Sequence, residues 1–134
     1  MRNWVVSCEP MMRSIMRIVV AFTFSLHGYQ KFFGLFGGIG KGATPPAFSL
    51  FWTAGVIETF GGLLLLLGLF TRPVAFILAG EMAVAYFRAH QPRALWPIQN
   101  GGELAVVYCF VFLYLLAAGP GPLSLDRVIR RKIT

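Results

Sequence analysis

Residues 50–70 read LFWTAGVIETFGGLLLLLGLF, an apolar run that ends in consecutive leucines from Leu63 to Leu67 and contains one charged side chain, Glu58. The run is apolar all round and has no polar face of the kind a surface helix of a soluble protein keeps. Its length matches the ~20 residues an α-helix needs to cross a ~30 Å hydrocarbon core. This stretch sets the solvent for the rest of the chain.

The same pattern repeats outward from it. Thr71-Arg72 follows, with Pro73 suited to the first turn of a new helix, so a tight hairpin leads into a third apolar stretch, 73–90. Upstream, a turn-rich segment with Gly37-Gly38, Gly40, Gly42 and Pro45-Pro46 separates a first stretch, 14–36. Beyond a loop carrying Pro92, Trp96 and Pro97 comes a fourth, 101–118, stopped by Gly119-Pro120-Gly121-Pro122. Ser124 reads as the N-cap of a short amphipathic tail, with Asp126 in its first turn. Arg13 and Arg17 precede the first stretch as they would in a signal peptide, but no small-residue cleavage site follows, so that helix reads as retained. The expected fold is all-α: one domain over residues 1–134, a four-helix transmembrane bundle.

Composition agrees. Hydrophobic residues make up 57% of the chain and charged ones 13%, with a mean hydropathy of +0.69; a soluble domain carries about 25% charged residues. The net charge of +7 sits at the ends of apolar stretches, which suits lipid head groups and topology and argues against a nucleic-acid partner. Arg2, Arg13, Arg17, Arg72, Arg127, Arg130, Arg131 and Lys132 fall on one side, against Lys31, Lys41, Arg88 and Arg93 on the other, so both termini are expected in the cytoplasm. Trp52, Tyr29, Tyr86 and Trp96 fall near span ends, as an interfacial aromatic belt does. Cys8 and Cys109 form no CxxC, and no metal-ligand spacing, activated nucleophile or nucleotide loop is present. No catalytic residue is assigned.

Glu58, Glu81 and Glu103 fall in or beside the spans, where an acid costs about 2.5–3.5 kcal/mol at the bilayer centre unless paired, protonated, interfacial or wet. Thr23, His27, Gln30 and Lys31 share one face of the first helix. Arg88 shares a face with Glu81, His90 ends the third stretch, and Asn100 lies beside Glu103. In the expected topology these groups gather in the outer half of the bundle. Two readings stay open: glue between helices, or a ligand, quinone or proton site. Haem held by His27 and His90 is disfavoured, since two histidines on separate helices are weak evidence.

His27-Gly28-Tyr29-Gln30-Lys31-Phe32-Phe33-Gly34, then Glu58-Thr59-Phe60-Gly61-Gly62, Gly68-Leu69-Phe70-Thr71-Arg72, Asn100-Gly101-Gly102-Glu103 and Gly119-Pro120-Gly121-Pro122-Leu123-Ser124-Leu125-Asp126 form an ordered set. It resembles the DoxX family of bacterial four-helix membrane proteins. The resemblance implies a membrane partner in redox complexes, the family being named for a subunit associated with thiosulfate:quinone oxidoreductase. The leading expectation is an anchor or quinone-proximal subunit of a redox-linked complex. It would carry no cofactor of its own beyond a bound quinone, work with a soluble redox enzyme as partner, and leave an oligomer open. The alternatives are a small transporter or permeability factor with an outward-facing polar cavity, and a purely structural bundle.

Overall fold

The computed structural model describes residues 3–133, so Arg2, counted above for topology, lies outside the described residues. Every regular element among them is helical: α1 (Trp4–Phe33), α2 (Leu50–Leu67), α3 (Thr71–Ala85), the short α4 (Pro97–Asn100), α5 (Glu103–Ala118) and α6 (Leu125–Ile133). α1 lies along α2, α3 along α5, and α2 touches α3 more narrowly. The start of α1, the α2–α3 turn and α6 gather at one end, and the two long connections gather at the other.

The helix boundaries depart from the sequence reading for local reasons. α1 begins ten residues before Ser14 and stops at Gly34, whose left-handed backbone (φ 70°) lets its N–H reach the Tyr29 carbonyl. α2 is capped by the Ser49 hydroxyl, which accepts from the Trp52 N–H at 3.2 Å, and ends at Gly68 rather than Phe70. The turn after it is therefore Gly68–Phe70, and Thr71-Arg72 already belong to α3. The last five residues of the third stretch, Tyr86–His90, form a wider π turn closed by Gln91 N–H on the Tyr86 carbonyl at 2.9 Å. Gly101 breaks the fourth stretch, so α5 starts at Glu103.

Close approach of α1 and α2 rests on small residues. A Cβ on Gly28 would collide with the Thr59 amide and come within 2.8 Å of the Glu58 carbonyl carbon, backbone that has nowhere to go. Gly55 meets the Lys31 stem and Gly62 meets Ser25 in the same seam, while Gly61 receives Leu78 of α3. Gly28→Ala should therefore cost about 1–3 kcal/mol through overpacking. Gly80→Ala, with nothing within 4 Å of its Cβ, should cost nothing; thermal unfolding in detergent reads the difference.

The core is an aromatic cluster between α1 and α5. Phe24, 1% exposed, meets Tyr108 and Phe112 edge-on at centroid distances of 5.1 and 4.9 Å, with Leu65, Ala75, Leu78, Ala79 and Leu115 around them. The outside carries Phe22, Phe60, Phe76, Ile77, Val107 and Phe110, each more than half exposed. A monomer in water rarely shows so wide an apolar belt. α2 is the one helix among the described residues long and apolar enough to cross a membrane by length and composition, and α5 is a shorter apolar helix.

Arg17 corrects the sequence reading. It does not reach toward head groups; it is fully buried. Its guanidinium donates to the carbonyls of Leu65 and Leu66 at the end of α2, of Pro120 at 3.0 Å, and of Leu123. Arg72 donates to the Leu116 and Ala117 carbonyls at 2.8 and 3.0 Å, and Arg13 to that of Ala118. Three arginines thus donate to carbonyls at the ends of α2 and α5, where the last turn of a helix leaves acceptors over, and in the connection to α6. Gly68 (φ 66°) leaves room for this, since a Cβ there would sit 2.9 Å from the Arg17 guanidinium carbon. Asp126 completes the clamp: its carboxylate accepts from the N–H groups of Phe70 and Thr71 at 2.8 and 2.9 Å, and its own N–H donates to Gly68 O at 2.9 Å. Ser124 caps α6 as expected, accepting from Arg127 N–H at 3.3 Å.

Candidate functional site

The opposite half of the molecule holds the polar side chains. α1 presents His27, Gln30 and Lys31 on one face. Glu58 arrives from the third turn of α2, opposite Lys31, because Gly28 and Gly55 let the two backbones close. The Lys31 Nζ donates to Glu58 Oε1 at 2.5 Å, and the Glu58 side chain is 3% exposed. Glu81 of α3 lies within electrostatic reach of both.

Cavities open on either side of this pair. The first, about 230 Å³, lies between α1, α2 and α3. Its walls are Leu50, Phe51, Ile57, Ile77 and Val84, and its polar groups are Lys31, Glu58, Glu81 and, on the rim, the exposed Arg88. The second, about 270 Å³, lies between α1, α3 and α5 and is lined by His27, Lys31, Glu58, His90, Met82, Leu104 and Tyr108. One ion pair thus forms the wall between two mostly apolar chambers.

The hydrogen-bond inventory is lopsided. Among the described residues Glu58 Oε2 and both Glu81 carboxylate oxygens are shielded from solvent and have no hydrogen-bond partner. Native structures rarely leave such groups unmatched, and an unmatched acceptor costs about 1–3 kcal/mol. The arrangement accommodates an occupant that supplies hydrogen-bond donors to the two acids while receiving them from Lys31 and Arg88.

The other candidates separate from this centre. Gln30 lines a shallow groove with Thr23, Leu26, His27, Phe36 and Tyr108, where the Tyr108 hydroxyl donates to Thr23 Oγ1 at 3.2 Å. His90 Nδ1 sits 3.1 Å from the Asn100 carbonyl. Asn100 is buried and organises the connection before α5: its side chain donates to Ala94 O at 2.9 Å and accepts from Gly102 N–H at 2.8 Å. It faces neither chamber. Glu103 is exposed in the first turn of α5, where an acid suits the helix dipole, and also lies outside both. His27 and His90 do share the second cavity. Among the described residues no three His, Cys, Asp or Glu side chains gather as a metal site. Cys8 and Cys109 are both free, and Cys109 Sγ lies 3.4 Å from the Ala79 carbonyl. Sequence reasoning missed Tyr108 and Met82 as cavity walls, since both read as ordinary packing residues.

Comparison with known proteins places these features. The DoxX family model matches residues 12–91, which span α1 to the π turn and carry Lys31, Glu58, Glu81 and Arg88. The chain belongs to the DoxX family. A Haemophilus influenzae protein described as uncharacterised is 45% identical over 131 residues, covering 92% of this chain and 95% of that one. An uncharacterised membrane protein of Mycobacterium tuberculosis is 31% identical over 136 residues, covering 88% and 81%. Inner membrane protein YphA of Escherichia coli is 30% identical over 130 residues, covering 90% and 92%. No solved structure matches the chain. This DoxX chain is accordingly a membrane protein, and its exposed apolar belt faces lipid. Asn100, Glu103 and the Asp126 clamp lie beyond the segment matched by the family model.

Proposed function

We propose that this DoxX protein crosses the bacterial inner membrane four times, with both termini in the cytoplasm, and serves as the quinone-proximal subunit of a redox-linked complex. In this reading α1, α2, α3 with its π turn, and α5 are the spans. The arginine clamp lies at the cytoplasmic face and the two chambers lie in the outer half.

The observation that carries the reading is the set of unmatched acceptors beside Lys31 at a chamber walled by apolar side chains. A quinone head group alternates between accepting hydrogen bonds when oxidised and donating them when reduced, and its prenyl tail is apolar. Lys31 and Arg88 supply donors for the first state; Glu58 Oε2 and Glu81 supply acceptors for the second. Ile57, Ile77 and Val84 suit the tail. The electrons belong to a soluble partner carrying the redox centre.

Purification in a mild non-ionic detergent, with mass-spectrometric assay of retained quinone and titration with a short-chain quinone analogue, tests this. Saturable binding is expected, weakened about tenfold or more by Glu81→Gln, since a buried polar group left without its partner costs about 1–3 kcal/mol. If neither retention nor saturable binding occurs, the quinone reading is wrong. Solute flux through the purified protein in liposomes would instead select a transporter.

A further inference from the structure

A third cavity, about 430 Å³, opens at the clamp end between the start of α1 and α6. Its charged lining is Arg13, Arg127, Arg130, Arg131 and Asp126. The acid is already committed, because both its oxygens hold the start of α3. Among the described residues Arg13 Nε is shielded from solvent and has no acceptor, although the same guanidinium reaches Ala118 O and Glu9. Four arginines therefore converge on one space with an unmatched donor among them, and an anion with several acceptor oxygens would satisfy it.

α6 indicates which anion. It is fastened to the rest of the chain at its first turn by Asp126, and Leu125, Val128 and Ile129 form an apolar stripe beside the basic residues. All three are at least 40% exposed. A helix with basic and apolar sides lies in the head-group plane of a membrane. A free phosphate would use the arginines and leave the stripe in water; a phosphodiester carrying acyl chains uses both.

We propose that this cleft binds the head group of an anionic phospholipid of the cytoplasmic leaflet, with α6 lying across its acyl chains. The orientation rests on the topology proposed above, but the binding can be measured without it. The full chain in non-ionic detergent is titrated with phosphatidylglycerol or phosphatidylcholine and followed by native mass spectrometry. Phosphatidylglycerol should bind tenfold tighter or better. Each arginine near a lipid surface contributes about fivefold, so Arg127→Gln with Arg131→Gln should weaken phosphatidylglycerol about 25-fold. The corresponding pair of lysine substitutions should stay within a few-fold of wild type. Millimolar inorganic phosphate should not displace the lipid. Equal binding of the two lipids by the wild-type chain would overturn the proposal whatever the variants do. So would an unchanged glutamine variant, and displacement by phosphate would reassign the cleft to a soluble anion. None of these results bears on whether the outer chambers hold a quinone.

Discussion

Arg17→Lys is expected to be nearly as damaging as Arg17→Ala, with little protein in the membrane fraction and a much lower unfolding temperature in detergent. The guanidinium spans four carbonyls on two segments: Leu65 and Leu66 closing α2, then Pro120 and Leu123 in the connection to α6. Alanine removes that donor from the Leu66, Pro120 and Leu123 carbonyls, while Leu65 O keeps the Gly68 N–H at 3.1 Å. Each orphan costs about 1–3 kcal/mol, so even two approach the whole ~5–15 kcal/mol stability of a domain. Lysine keeps the charge but places three donors around one nitrogen, without the planar fork that reaches Pro120 and Leu65 together. If Arg17→Lys melts within about 3 °C of wild type, the arginine is not the junction described here.

The all-helical character was legible because apolar runs of helical length declare themselves, and residues 50–67 have the length and composition of a membrane span. Helix ends were less legible. Gly34 and Gly68 terminate helices through left-handed backbone conformations, whereas sequence counting carried the apolar run on to Phe36 and Phe70. Arg17 was misread because an arginine near the start of an apolar stretch looks like a topology signal; its burial follows from partners 48 to 106 residues away. The motifs around Gly68–Arg72 and Gly119–Asp126 were visible as turns, yet that they clamp each other is a tertiary fact. At the other end, shared helix faces grouped His27, Lys31, Glu58, Glu81 and Arg88, and these side chains line the two chambers. Glu103 joined them by its depth and Asn100 by a face shared with Glu103, but Gly101 breaks the helix between the two and turns both away from the chambers.

Lys31→Met and Glu58→Gln are expected to fail unequally, and their combination separates glue from function. Removing Lys31 leaves a carboxylate with 3% of its side chain exposed and no cation at 2.5 Å. Breaking a buried pair in this way costs about 3–5 kcal/mol. Removing the Glu58 charge is milder, because the Lys31 side chain is 22% exposed and its flexible stem can carry the ammonium toward the surface. The double variant takes both charges out of the low-dielectric interior, so its stability should return to within about 1 kcal/mol of wild type. The coupling between the two sites is the difference between the double change and the sum of the singles. Ligand binding should not return with stability, since the variant lacks the Lys31 donor that divides the two chambers. A stable double variant that still binds the quinone analogue with wild-type affinity would make the pair a packing device and leave Glu81 with Arg88 as the whole of the site.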